Sequence, residues 1–209
     1  MRHSGVTIDN KLTFRDHIEE KCANARKILN LLRRNLYFAP VSVKTKAYET
    51  CVRPIMEYAS SCWSPTSEKH NRMLEMVQHS AAKFVSNRYP KKGHYEEFSI
   101  SDIIHELEWD TLEVRRNRAK LSMAYKILHG HVILSSDSLP KANISRPRQC
   151  NEVLVGRENQ LKEPQSRGLL TSNKTFFFSV PKIWNHTVTA SQAGAPSVDA
   201  FRNYFRRKK

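Results

Sequence analysis

The chain opens on a short alternation, Gly5-Val-Thr-Ile-Asp9, with β-branched residues at Val6, Thr7 and Ile8 and a turn supplied by Asp9-Asn-Lys11, so a short strand is expected first. Nothing nearby reads as its hairpin mate, and a strand this short needs partners. From Thr13 the period becomes helical. Phe14, Ile18, Cys22, Ala25, Ile28, Leu29, Leu32 and Leu36 fall on one face, with Arg15, Glu19, Arg26, Lys27, Arg33 and Arg34 mostly opposite, which predicts a long helix over 13–36. Phe38-Ala-Pro40 breaks it. Ser42 is the expected N-cap of a second helix carrying Val43, Ala47, Cys51, Ile55 and Tyr58, which Pro54 should kink because it lacks the N–H its turn requires. Leu74, Val77, Ala81 and Phe84 mark a third helix entered through Ser67-Glu68 and ended by Asn87 to Gly93. Ser101 to Leu107 reads as one short helix. Thr111 caps another, through Leu112, Leu121, Tyr125 and Leu128, with Gly130 at its C-terminus.

After Leu134 the texture changes. Pro140, Pro147, Pro164, Gly156 and Gly168 interrupt any period, and residues 135–209 hold thirteen Lys and Arg against five acids, about twice the net basic density of the preceding segment. Two islands of order are expected inside this stretch: Phe176 to Trp184 is too apolar to float freely, and Val198, Phe201, Tyr204 and Phe205 suggest a terminal helix. The fold class expected is therefore mainly α, a helical bundle of about five helices with a short N-terminal strand and a partly ordered basic C-terminal tail. Residues 1–10 hold the strand, 11–134 the bundle, and 135–209 the tail, with ordered segments near 176–185 and 197–206.

Charge then narrows the function. Thirty-five Lys and Arg against twenty Asp and Glu give +15 over 209 residues, a surplus that repels itself unless a polyanion neutralises it, so nucleic acid is the expected partner. The apolar fraction of 39% and mean hydropathy of −0.60 fit a chain that is not packed throughout. The cysteines, Cys22, Cys51, Cys62 and Cys150, lie singly, the N-terminus lacks an apolar signal region, and no run approaches a membrane span. An intracellular protein of the nucleus or cytoplasm, without membrane insertion, is expected.

Few residues carry chemistry. Nucleotide polymerisation needs clustered carboxylates to hold two divalent ions, and Asp9, Asp16, Asp102, Asp110, Asp137 and Asp199 are scattered. Glu96-Glu97 and Glu106 with Glu108 read as solvated helix flanks. Cys51, Cys62, His70 and His79 are too widely spread for a zinc site, and a Cys–His hydrolase built from Cys62 with His70 or His79 has no motif behind it. No Gly-rich phosphate loop or serine elbow occurs, so no catalytic residue, metal, cofactor or small-molecule substrate is expected. The better signal is cationic helix faces: Arg26, Lys27, Arg33 and Arg34 on the first helix, Lys44, Lys46 and Arg53 on the second, and Arg115, Arg116, Arg118 and Lys120 on the last. Such stripes can line a groove tracking a phosphate backbone, each contact releasing a counterion; solvated faces without a ligand are the alternative. Trp63, Tyr89 and Trp109 could stack on bases, though aromatics at helix ends more often close a core.

Several segments together resemble one family. Gly5 to Asp9 followed by Lys11-Leu-Thr-Phe-Arg-Asp-His-Ile18 is similar to the stretch just after the palm of non-LTR (LINE-type, jockey-like) retrotransposon reverse transcriptases. So are Arg33-Arg-Asn-Leu36, Lys46-Ala-Tyr48, Val52 to Ser60 with Trp63-Ser-Pro65, Leu74 to Val85, Leu107 to Arg116, Tyr125 to Gly130 and Phe176 to Asn185, in the order the family shows. The resemblance implies a helical, basic thumb-like region over 11–134 that grips primer–template in the intact enzyme. It also implies that residues 1–10 are a remnant palm-like strand, and that endonuclease, fingers and palm, with the metal-binding aspartates, would lie before Met1. Met1-Arg-His-Ser4 stands where the family has aromatic-containing residues, as a chance start codon in a decayed copy would. The expectation is a non-catalytic fragment of an RNA-directed DNA polymerase that binds RNA or an RNA–DNA duplex. The alternatives are a chain that keeps the polymerase role of its ancestry, and a protein-interaction or inert product with no nucleic-acid ligand.

Overall fold

The computed structural model describes residues 2–65, 67–89, 99–133, 160–161 and 176–206. The fold is mainly α-helical. The chain forms two compact units, one of Met1–Ser60 with Ser64–Arg115, the other of Ser61–Trp63 with Arg116–Lys209. Residues 90–98, with Glu96-Glu97, and most of the basic tail fall outside the described residues.

The first unit starts with a minimal hairpin. β1 (Arg2–His3) pairs antiparallel with β2 (Val6–Thr7), Arg2 opposite Thr7 and His3 opposite Val6. The expected strand thus has a mate after all, in the residues just before it. Ser4 and Gly5 both take positive φ, 46° and 78°, the turn geometry whose twist matches paired strands. Beyond the hairpin, the Asp9 carboxylate accepts from the N–H of Lys11 (2.8 Å) and from the N–H and hydroxyl of Thr13 (3.0 and 2.7 Å). These bonds hold a bend in which Leu12 and Phe14 sit in the left-handed region, a conformation that disfavours L side chains.

α1 (Arg15–Asn35) buries His17, Ile18, Cys22, Ala25 and Leu29, as its period predicts. α2 (Val41–Ala47) begins one residue before the expected cap: extended Pro40 precedes it, and Ser42 lies inside the helix. The kink expected at Pro54 takes a definite form. A π-helical stretch, Tyr48–Val52, widens the turn so that Arg53 N–H reaches Tyr48 O, and α3 (Arg53–Glu57) restarts with Pro54 in its first turn, where no N–H is needed.

α4 (Glu68–Ser86) is capped by Ser67, whose hydroxyl accepts from His70 N–H, and ends at Asn87 in the left-handed region. α5 (Ile100–Glu106) is capped by Ser99 rather than starting at Ser101. α6 (Leu112–Leu128) is entered at Thr111, whose hydroxyl accepts from Val114 N–H, while the Glu75 carboxylate of α4 accepts from Leu112 and Glu113 N–H. A carboxylate there satisfies orphan donors and faces the positive helix end. α1 packs on α4, on the π-helical stretch and on α3, and Trp109 stacks on Tyr48 with centroids 4.4 Å apart.

The second unit has its own core. Leu121, Ala124 and Tyr125 of α6 meet Val180 and Trp184 of α7 (Phe176–Thr187), Ala193 of α8 (Ala190–Ala193) and Phe201 of α9 (Val198–Asn203). Tyr125 stacks on both His129 and Phe201, and its hydroxyl donates to Ala195 O. Leu161 is tied to the Asn185 side-chain amide by two hydrogen bonds, 2.8 and 2.9 Å. The two expected islands of order are therefore helices sharing one apolar core with the later turns of α6.

Candidate nucleic-acid interface

The eleven candidate cations divide sharply by environment. Arg26, Lys27 and Arg34 on α1 and Lys46 on α2 are exposed, and among the described residues none of their side chains has an ion-pair or hydrogen-bond partner. Arg26 and Arg34 lie at i and i+8 with Asn30 between them, one solvent face opposite Ile18, Cys22, Ala25 and Leu29, and Lys27 flanks it. At 1.5 Å rise per residue, Arg26 and Arg34 are ~12 Å apart along the axis, a span that three or four phosphates of a strand occupy at ~3.4 Å each. α1 confines its acids to one end: Asp16, Glu19 and Glu20 lie in the first two turns beside Arg15 and Lys21, while the later turns carry only cations, Arg26, Lys27, Arg33 and Arg34. That polarity suits the helix dipole as well as a polyanion.

The other candidates are engaged within the protein. Arg33 donates to Asn30 Oδ1 (3.1 Å) and to Ser80 O of α4 (2.8 Å). Arg53 pairs with Glu49 at 3.1 Å. Arg115 grips Glu57 through two nitrogens, and that hydrogen bonding, ahead of burial acting the other way, pushes the guanidinium up. Lys44 is wholly buried, its Nζ 2.5 Å from Asn87 Oδ1 and 5.2 Å from the centre of the Phe84 ring. In the second unit, Arg116 and Lys120 are buried, Lys120 Nζ donating to Ser179 Oγ at 3.1 Å, and Arg118 is half-buried. A phosphate therefore has access to Arg26, Lys27, Arg34 and Lys46, and not to Lys44, Arg116 or Lys120.

Trp63 and Trp109 are buried, in line with a core role, while Tyr89 is half exposed. Two aromatics that periodicity passed over stand out instead. Tyr37 and Phe38, in the turn after α1, are 65% and 96% exposed and meet edge to face with centroids 4.9 Å apart. Their signal in the sequence is an aromatic pair between a cationic helix end and Pro40, where no helical partner can cover it.

Cys51 and Cys62 are exposed and Cys22 is buried, and none of the three is in a disulfide. Among the described residues no group of three His, Cys, Asp or Glu side chains could hold a metal ion. The His70 ring has Ser67 Oγ 2.7 Å from Nδ1 and a Glu19 oxygen 3.5 Å from Nε2, a distance of ion pairing without hydrogen-bond geometry. This serine–histidine–carboxylate order serves capping: the Ser67 oxygen is committed to the first turn of α4, where it also accepts from His70 N–H. Among the described residues no helix is long and apolar enough to cross a membrane.

No protein-family model and no solved structure matches the chain. It is 27% identical over 125 residues to a protein of Caenorhabditis elegans described only as uncharacterized, the match covering 60% of this chain and 61% of that one. It is 22% identical over 149 residues to a probable RNA-directed DNA polymerase from transposon BS of Drosophila melanogaster, covering 69% of this chain and 16% of the polymerase. The chain thus spans about three fifths of the first relative and about one sixth of the second. Its class is a mainly helical protein with partial similarity to a transposon reverse transcriptase.

Proposed function

We propose that this chain is a non-catalytic derivative of a non-LTR retrotransposon reverse transcriptase that holds primer–template or RNA by phosphate charge on the solvent face of α1. The observation that carries the reading is the stripe of Arg26, Lys27 and Arg34, exposed and without a side-chain partner among the described residues, in a unit whose Arg15, Arg53, Arg72, Arg88 and Arg115 are each matched to a carboxylate. Matched cations keep a surface soluble; a stripe without acids holds a positive potential that a polyanion neutralises. The partial similarity to a transposon polymerase supports the ancestry. The spread of the described aspartates over Asp9, Asp16, Asp102, Asp110 and Asp199 supports a role without nucleotide transfer.

The test is anisotropy of a labelled RNA–DNA hybrid with the full chain across a salt series, with primer extension in divalent metal from the same preparation. Binding that weakens steeply with salt, and no extension, is expected. Extension by the purified chain overturns the non-catalytic reading, and absence of binding at low salt overturns the nucleic-acid reading.

A further inference from the structure

The turn that links α1 to α2 presents its two aromatics in an unusual way. An exposed Tyr or Phe ring normally lies along a neighbouring side chain, but Phe38 keeps 96% of its surface in solvent and Tyr37 keeps 65%. The turn is nevertheless built: Ala39 N–H donates to Leu36 O at 3.1 Å, Leu36 N–H donates to Leu32 O at 2.8 Å, and Pro40 fixes the backbone before α2. The rings stand at 89° to one another, so the edge of one supports the other while broad ring faces stay open.

What could cover these rings is decided by their neighbours. Leu31, Val41 and Val43 add partly exposed apolar surface, which a protein partner would also use. Protein interfaces use aromatics and arginine as well but are depleted in lysine, so what favours a polyanion is the run of charge up to the turn: Arg26, Lys27, Arg33 and Arg34 with no acid among residues 22–35. This turn directly follows the cationic last turns of α1, where Arg34 is exposed and has no acidic partner among the described residues. An aromatic platform beside unmatched cations is the arrangement that takes unpaired nucleobases, the rings stacking on bases and the cations on the phosphates that follow.

We infer that Tyr37 and Phe38 form a stacking platform for unpaired bases, so that the ligand of the α1 stripe includes a single-stranded RNA or DNA segment. The inference rests on the phosphate-binding reading of that stripe. A duplex hides its bases from such a platform, so platform and stripe separate experimentally.

The test titrates the full chain into single-stranded RNA, single-stranded DNA and an RNA–DNA hybrid of equal length, each single strand carrying 2-aminopurine. Stacking quenches the probe on binding. Phe38→Ala is expected to weaken single-strand affinity about ten-fold and to abolish the quench, Phe38→Trp to keep both, and hybrid affinity to move by less than about two-fold. RNA bound in preference to DNA, or the reverse, identifies the strand. Both rings lie outside the core, so these variants fold, and thermal melting verifies it. Unchanged quench and single-strand affinity in Phe38→Ala and Tyr37→Ala, with hybrid still bound, overturn the platform and leave the phosphate reading standing. No binding of any oligonucleotide overturns both. Loss of self-association in Phe38→Ala, with oligonucleotide affinity unchanged, assigns the turn to a protein contact and overturns the platform.

Discussion

Arg115 of α6 and Glu57 of α3 are joined by a two-point ion pair, Nη2 lying 3.0 Å from Oε2 while Nε donates to Oε1. Both side chains are less than a third exposed, so the pair is only partly screened. The guanidinium fork matches a carboxylate in shape as well as charge, and lysine cannot reproduce it. Glu57→Gln and Arg115→Lys are each expected to lower stability by ~1–3 kcal/mol in urea denaturation, with hybrid affinity unchanged. A loss of hybrid affinity in Arg115→Lys without loss of stability would instead place that residue on phosphate.

Lys44 gives a second contrast. Its ammonium is buried with Asn87 Oδ1 as its hydrogen-bond partner and the Phe84 ring beside it. Removing a partner from a buried charge costs more than removing the charge together with its need for one. Asn87→Gly keeps the left-handed backbone of the helix end and deletes the acceptor, so it should destabilise by ~1–3 kcal/mol despite glycine's advantage there. Lys44→Met should be close to neutral. Thermal melts of the two variants decide it, and a reversed order means that Lys44 has another acceptor.

Much of the helical scaffold was legible because its cues are local. The spacing of Ile18, Cys22, Ala25 and Leu29 reports one buried face, and Ser67 and Thr111 cap helices by bonds within a single turn. The state of the cations was not legible. Arg115 and Glu57 lie 58 positions apart, Lys44 and Asn87 43, and Lys120 and Ser179 59, so no window of periodicity pairs them. The same holds for the second core, where Tyr125 awaits Phe201 far along the chain. Arg26, Lys27 and Arg34 read correctly as a solvent face because their exposure follows from the helix that carries them. Tyr37 and Phe38 were missed because hydrophobicity alone marks an aromatic as core, and only the turn shows that nothing packs on them.

His79 supplies a pH dependence. Burial, the largest influence, holds its imidazole below the ordinary value of 6.5, Glu75 pulling it up and Lys83 pushing it down. A base whose folded value is lowered binds fewer protons folded than unfolded, so stability is complete above about 6.5 and is lost as pH falls through the lowered value. Melting temperature should therefore fall between about pH 7 and pH 5, and His79→Gln should remove part of that slope. An unchanged slope in the variant would assign the acid sensitivity elsewhere.

The exposed stripe makes the most direct claim on function, because screening separates it from the paired cations. Each phosphate that loses its counterion to a bound cation adds about 0.7–0.9 to the slope of log affinity against log salt. Arg26→Gln, Lys27→Gln and Arg34→Gln combined should therefore flatten the slope for an RNA–DNA hybrid by about 2–3. Stability should change little, since all three side chains point to solvent and no described partner is left unpaired. Gln substitutions at Arg53 and Arg72, whose charges already face Glu49 and Glu68, should leave the slope nearly unchanged and serve as the control. If both sets flatten it equally, the chain attracts nucleic acid through net charge alone and α1 has no special part in binding.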